Sequence, residues 1–174
     1  MNFELKIIDS RITEDMLQPA TPYSAAIDLR ACIDAPMLIK PGEEVKIGSG
    51  IALYLKNTDT AALVLPRSGL GTKRGIVLGN LVGLIDPDYQ GEIGITLWNR
   101  KSNMSDAFLL NPMERIAQLM IVPIIRPTFN IVTEFSTDTV RGGGGFGSTG
   151  IQGNLTGGNL TGGSLVRLPK TGGT

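Results

Sequence analysis

The chain has 174 residues, balances 16 basic against 16 acidic side chains, carries one cysteine and lacks histidine. Balanced charge argues against coating nucleic acid or membrane by bulk electrostatics, no apolar run reaches the length of a membrane span, and a lone Cys32 excludes an internal disulfide and fits a reducing cytoplasm. Without histidine there is no Ser-His-Asp or Cys-His nucleophile and no His-ligated zinc, so catalysis here calls for a carboxylate base and a hard, oxygen-bound metal such as Mg²⁺.

The start, MNFELKIIDS, lacks the basic opening and long apolar stretch of a signal peptide. Short segments rich in β-branched and apolar residues then recur: LKII (5–8), AAIDLRA (25–31), EVKIGSGIALYL (44–55), AALVLP (61–66), GIVL (75–78), EIGITLWN (92–99), IAQLMIVPII (116–125) and FNIVTEF (129–135). Turn signals separate them at Pro41-Gly42, Asn57-Thr58-Asp59, Asp86-Pro87-Asp88 and Asn111-Pro112. No segment sustains a helical apolar period beyond about three turns, so the pattern predicts an all-β sandwich or jelly roll, with a short helix over 68–74. Residues 1–140 read as the folded domain and 141–150 as a glycine-rich arm. Residues 151–174, repeating as GNLTG, GNLTG, GSLVR, read as a low-complexity tail too short to bury a core. Its end, LPKTGG (168–173), looks like a sortase sorting signal but lacks the apolar and basic residues that follow one.

Four segments could carry chemistry. In PRSGLGTKRG (66–75), Arg67 offers a planar fork of donors, Ser68 a hydroxyl and Gly69 close backbone approach, which suits an anion or equally a solvated turn. In GNLVGLIDPDYQGEI (79–93), Asp86 sits at the edge of an apolar wall as a candidate general base, with Tyr89 offering a flat face for a sugar; an Asx turn is the structural alternative. Gln118 interrupts the apolar strand ERIAQLMIV and must find partners, in the core or on a ligand. The segment RGGGGFGSTG (141–150) partly fits the phosphate-loop pattern GxxxxGK(S/T). It has serine in place of the lysine and no helix-forming sequence after it, and reads better as an arm closing over a nucleotide.

These segments, with AAIDLRA, occur in the order and spacing of the five motifs of the trimeric dUTPases, and residues 3–150 resemble that family, particularly its bacterial members. The resemblance implies a distorted jelly roll assembling as a homotrimer with three shared sites. It implies hydrolysis of dUTP to dUMP and pyrophosphate, with Asp86 activating the water that attacks the α-phosphorus. It also implies substrate contacts from Arg67, Ser68, Gly69, Asn80, Leu84, Ile85, Tyr89, Gly94, Gln118, Arg141, Gly147, Ser148 and Thr149, with Phe146 stacked on uracil. Mg²⁺ is implied on the substrate phosphates, met by Asp28 through water. Two departures stand out. Met113 occupies a position where the family commonly has glycine, which predicts strain if its φ is positive. Pro87 is reminiscent of the related dCTP deaminases, whose general-base glutamate would fall at Thr96, which has no carboxylate. A nucleotide-gated binding module, motivated by the tail, is the non-enzymatic alternative.

Overall fold

EIGITLWN carries the clearest two-residue alternation. Its strand buries Ile93, Ile95, Leu97 and Asn99 while Glu92, Gly94, Thr96 and Trp98 face the other way. The chain is represented by a computed structural model that describes residues 2–144. Ten strands form among the described residues: β1 (Glu4–Ile7), β2 (Ile27–Arg30), β3 (Met37–Ile39), β4 (Glu44–Tyr54), β5 (Thr60–Pro66), β6 (Ile76–Leu78), β7 (Gly83–Ile85), β8 (Glu92–Asn99), β9 (Phe108–Leu110) and β10 (Arg115–Pro123). One four-stranded sheet runs β1-β4-β8-β6, a second runs β2-β10-β5-β7, and β3 pairs with β9 as a ribbon. Every pairing is antiparallel. One apolar core joins inward residues of both sheets, among them Ile47, Ile95 and Leu97 from the first and Leu29, Val64 and Leu119 from the second. This is the all-β sandwich expected from the alternation. No helix among the described residues is long and apolar enough to cross a membrane.

The helix expected over 68–74 appears as a π-helical segment, Leu70–Arg74, closed by Gly75 at φ 75°. Asn99, fully buried, donates from Nδ2 to the carbonyls of Ile39 (3.1 Å) and Asp106 (3.0 Å), and its Oδ1 accepts from the Lys101 backbone (3.2 Å). One amide thus satisfies three backbone groups from separate segments.

Met113 has φ 61°, so the strain expected at this position is present. Its N–H donates to Ala31 O, its carbonyl accepts from Arg30, and its side chain packs against the core.

Residues 128–144 belong to a unit separate from the one ending at Pro127. FNIVTEF, expected as a strand, forms none. Strand preference expresses fit to a pleated, half-covered surface, and Phe129, Ile131 and Phe135 have no such surface, being 84%, 96% and 89% exposed.

Candidate active site

Three neighbouring strands of the second sheet bring the first group of expected residues together. Gln118 on β10 stands opposite Asp28 on β2 and opposite Leu65 on β5, so the three lie abreast. Arg67 follows immediately where β5 ends. Its Nε meets Asp28 Oδ1 at 2.9 Å, Arg115 Nη1 meets Asp28 Oδ2 at 3.0 Å, and Arg67 Nη1 donates to Arg115 O at 3.3 Å. Gln118 Nε2 donates to Pro66 O at 3.0 Å, pinning the strand end from which Arg67 departs. These residues, with Ser68 and Gly69, border a cleft of about 610 Å³. Two arginines against one aspartate leave the cleft net positive, and the shared carboxylate holds both guanidinium planes in place before any anion arrives. Gly69 has an ordinary right-handed conformation, and a Cβ there would meet nothing within 4 Å. The chain's own packing does not require glycine at this point, which leaves the space for something else.

Arg115 is the cleft residue that the sequence reading missed. Simple alternation puts it on the opposite face from Gln118. A register shift between Arg115 and Ala117 in the β10–β2 pairing turns it onto the cleft side. The one signal was its membership of ERIAQ.

The second group lies on the hairpin from Gly79 to Glu92. Asn80 and Asp86 are exposed, as is Leu84 at 63%. Leu81 adopts φ 65°, and Val82 N donates to Asn80 O at 2.7 Å, a tight turn of the strained positive-φ kind. Ile85 packs against the core and Pro87 is buried, so the apolar side of the hairpin is anchored. The turn at Asp86 is closed by its backbone carbonyl, which accepts from Tyr89 N at 3.2 Å. The Asp86 carboxylate makes no hydrogen bond or ion pair among the described residues, so the Asx turn weighed from sequence does not form. Tyr89 donates from its hydroxyl to Glu92 O at 3.0 Å, which fixes its ring at 44% exposure, and Gly91 leaves room for that hydroxyl. Gly94 lies on β8 in the other sheet, under the Lys46 side chain, and does not border the cleft.

Register separates the two groups. Gly83, Leu84 and Ile85 pair with Val64, Leu63 and Ala62, so Asp86 falls level with Ala61. Arg67 lies six residues further along the chain, just past the end of β5, about 20 Å away at a strand rise of ~3.3 Å per residue. Within one chain, the free carboxylate and the guanidinium cradle are at opposite ends of one strand.

Arg141 belongs to the separate unit, where its Nε donates to Gly144 O at 3.0 Å. Phe146, Gly147, Ser148 and Thr149, and the tail 151–174, lie outside the described residues.

A different cluster surrounds Cys32. Three side-chain hydrogen bonds and one backbone hydrogen bond from Arg11 hold Asp9 well below the usual carboxylate range, and burial, reinforced by the Asp9 charge, pushes the Cys32 thiol up to about 11. At neutral pH this thiol is protonated and a poor nucleophile.

Comparison with known proteins identifies the family. The family model described as dUTPase matches residues 13–150. The chain is 56% identical over 150 residues to the deoxyuridine 5'-triphosphate nucleotidohydrolase of Paraburkholderia phymatum, and 55% identical over 150 residues to that of Ralstonia pickettii. Each alignment covers 86% of this chain and 99% of the relative. Among solved structures, the Staphylococcus bacteriophage 80alpha dUTPase with dUPNHPP superposes with a TM-score of 0.77 at 25% identity, covering 86% of this chain and 99% of that one. The chain therefore belongs to the dUTPase family of dUTP diphosphatases.

Proposed function

We propose that the chain hydrolyses dUTP to dUMP and pyrophosphate by water attack on the α-phosphorus, in a site completed by a neighbouring copy. The observation that carries this is the unengaged Asp86 carboxylate, about 20 Å along β5 from the Arg67 cradle. A base and an oxyanion cradle that far apart cannot serve one phosphorus, but a hairpin from one subunit laid against the cleft of the next can. A homotrimer with three such sites satisfies every copy. In it, Asp86 orients a water and takes its proton as the water attacks. Arg67 and Arg115, held by Asp28, with Ser68, the Gly69 N–H and Gln118, bind the phosphate oxygens as charge moves toward the leaving pyrophosphate.

The donor set fits Mg²⁺ carried on the phosphates. The described residues contain no cluster of three or more acidic or cysteine ligands to hold a metal on their own, while Asp28 faces the cleft with a carboxylate able to meet the hydration shell of such an ion. When bound, Mg²⁺ supplies charge neutralisation of the triphosphate.

Uracil selection falls to the hairpin. Fixed backbone groups at 80–85 and the Asn80 amide pair with uracil's N3–H and carbonyls and are left unpaired against cytosine, a mismatch worth up to roughly 10⁴-fold. Tyr89 packs the deoxyribose and crowds out a 2′-hydroxyl. Arg141, Ser148, Thr149 and Gly147 on the arm close on the phosphates, Phe146 stacks on the base, and closure excludes water. Gly94 joins the substrate contacts in the assembled site. In the cytoplasm this activity keeps uracil out of DNA and supplies dUMP for dTTP synthesis.

The test is pyrophosphate release from dUTP, dCTP, dTTP and UTP with Mg²⁺, ammonia being measured in parallel. Pyrophosphate from dUTP alone is the expected result. Ammonia from dCTP would replace this reading with the deaminase one, against which Thr96 already stands on β8 without a carboxylate.

A further inference from the structure

The cleft beside Asp28 is bordered by one polar side chain that the proposed chemistry has not used. Ser24 lines it, on the loop leading into β2, together with Ala20, Ala25 and Ala26, which have no polar side-chain atom. Ser24 is half-buried and closes a turn with Thr21. Thr21 N donates to Ser24 Oγ at 3.1 Å, Ser24 N donates to Thr21 O at 3.0 Å, and the two hydroxyls share a hydrogen bond of 2.9 Å. Thr21 is exposed and does not border the cleft.

Two hydroxyls joined by one hydrogen bond always keep one proton over. If Ser24 donates to Thr21, the spare proton lies on the exposed threonine, where water takes it. If Thr21 donates to Ser24, the spare proton lies on the serine, at the border of a cleft made net positive by Arg67 and Arg115 against Asp28. An anion in the cleft selects the second arrangement, because the Thr21 O–H then polarises the Ser24 O–H that it feeds. In that arrangement Ser24 Oγ accepts from both Thr21 N and Thr21 Oγ1, so its lone pairs are filled and it can only donate. Water bound to a divalent cation also donates, so it finds an acceptor in Asp28 and none in Ser24. The partner left for the serine is a phosphate oxygen.

We propose that Ser24 is a substrate-binding residue that donates its O–H to a phosphate oxygen of the bound nucleotide, with Thr21 behind it as the next donor in line. This rests on the proposed hydrolysis of dUTP. Arg67 and Arg115 bind phosphate as fixed charges, whereas the serine proton turns to the ligand only when one is present. Phosphate is thus gripped from the end of β5, from β10 and from the approach to β2, the last without a charge of its own.

The experiment uses the full chain, its Ser24→Ala and Thr21→Val variants, and a crystal of the unaltered chain with a non-cleavable imido analogue of dUTP. Pyrophosphate release from dUTP with Mg²⁺ gives kcat and KM, competition by deoxyuridine reports on a ligand without phosphate, and thermal melting serves as control for folding. Ser24→Ala should raise KM about tenfold with kcat unchanged, the loss of one hydrogen bond to a charged acceptor. Deoxyuridine affinity should stay the same. Thr21→Val leaves the Ser24 proton free to turn and should raise KM by no more than about twofold. In the crystal, Ser24 Oγ should lie about 2.5–3.0 Å from a phosphate oxygen. An unaltered KM in Ser24→Ala, an equal weakening of deoxyuridine, or a Thr21→Val effect as large as that of Ser24→Ala would each overturn the assignment. So would a serine oxygen more than about 3.5 Å from every phosphate oxygen. If the unaltered chain releases no pyrophosphate from dUTP, the hydrolase reading itself falls and takes this one with it. Normal turnover with an indifferent Ser24→Ala sinks only the role of Ser24.

Discussion

Asp28 and Asp86 are both carboxylates of the second sheet, yet they are held in opposite ways. Asp28 is one-fifth exposed and clasped by two arginines, and its neighbour Gln118 is steadied by donating to the Pro66 carbonyl. Asp86 is exposed, unpartnered, and perched on a hairpin whose tip contains a leucine at positive φ. The cleft is a finished object within one chain, whereas the hairpin is built as something to be received. Groups that bind a highly charged ligand gain from being fixed beforehand, because their reorganisation is then complete before the reaction. A base must keep its lone pairs free, and here freedom is kept by giving the carboxylate no neighbour at all.

The largest expected effect tests the free end of that contrast. Asp86→Asn preserves shape and removes the base, so kcat for dUTP should fall by about 10³-fold with KM nearly unchanged; a variant turning over at the original rate would remove Asp86 from the chemistry. The next test asks whether the two regions meet across subunits. Arg67→Ala alone should also be inactive. Unfolding and refolding it in equal mixture with Asp86→Asn should restore about a quarter of normal turnover, since random assembly pairs an intact hairpin with an intact cleft in that share of sites. A mixture as dead as its components would place the whole site within one chain.

A smaller effect concerns the turn that leads into β10 and so into the cleft. Met113→Ala discards packing while keeping the positive φ, whereas Met113→Gly discards the same packing and releases the strain. Chemical denaturation should find the glycine variant more stable than the alanine variant by about 1 kcal/mol. Equal stabilities would mean that the turn has relaxed.

The smallest expected effect concerns the Asp9–Arg11 pair beside Cys32. Asp9 has a lowered folded-state pKa, so its contribution to stability is present above the unfolded value near 3.9 and is lost as pH falls below it. Melting temperature should therefore drop below about pH 4, and Asp9→Asn should flatten that part of the profile. An unchanged profile would show that the Arg11 pair adds nothing.

Much of this was legible in the sequence, for physical reasons that also mark where legibility ended. β4, β5, β8 and β10 are long enough for alternation or a continuous apolar run to show, and they were read within a few residues. The three-residue strands β3 and β9 offer too few positions for any period to be seen. FNIVTEF was misread because its composition promises a strand while strand formation depends on a partner. Arg67, Ser68, Gly69, Gln118 and Asp28 were named from motifs, and the fold gathers them. That Asp86 stands apart from them in a single chain follows from register, which composition cannot reveal. Arg115 was hidden by a bulge.

Asn99 sets a limit of another kind. Its side-chain nitrogen faces two carbonyl oxygens in the interior. Deamidation, the ordinary chemical ageing of asparagine, would put an oxygen there, turning two attractions into two repulsions and burying a charge. The lifetime of the folded molecule is therefore tied to how well its own core shields a single amide from water.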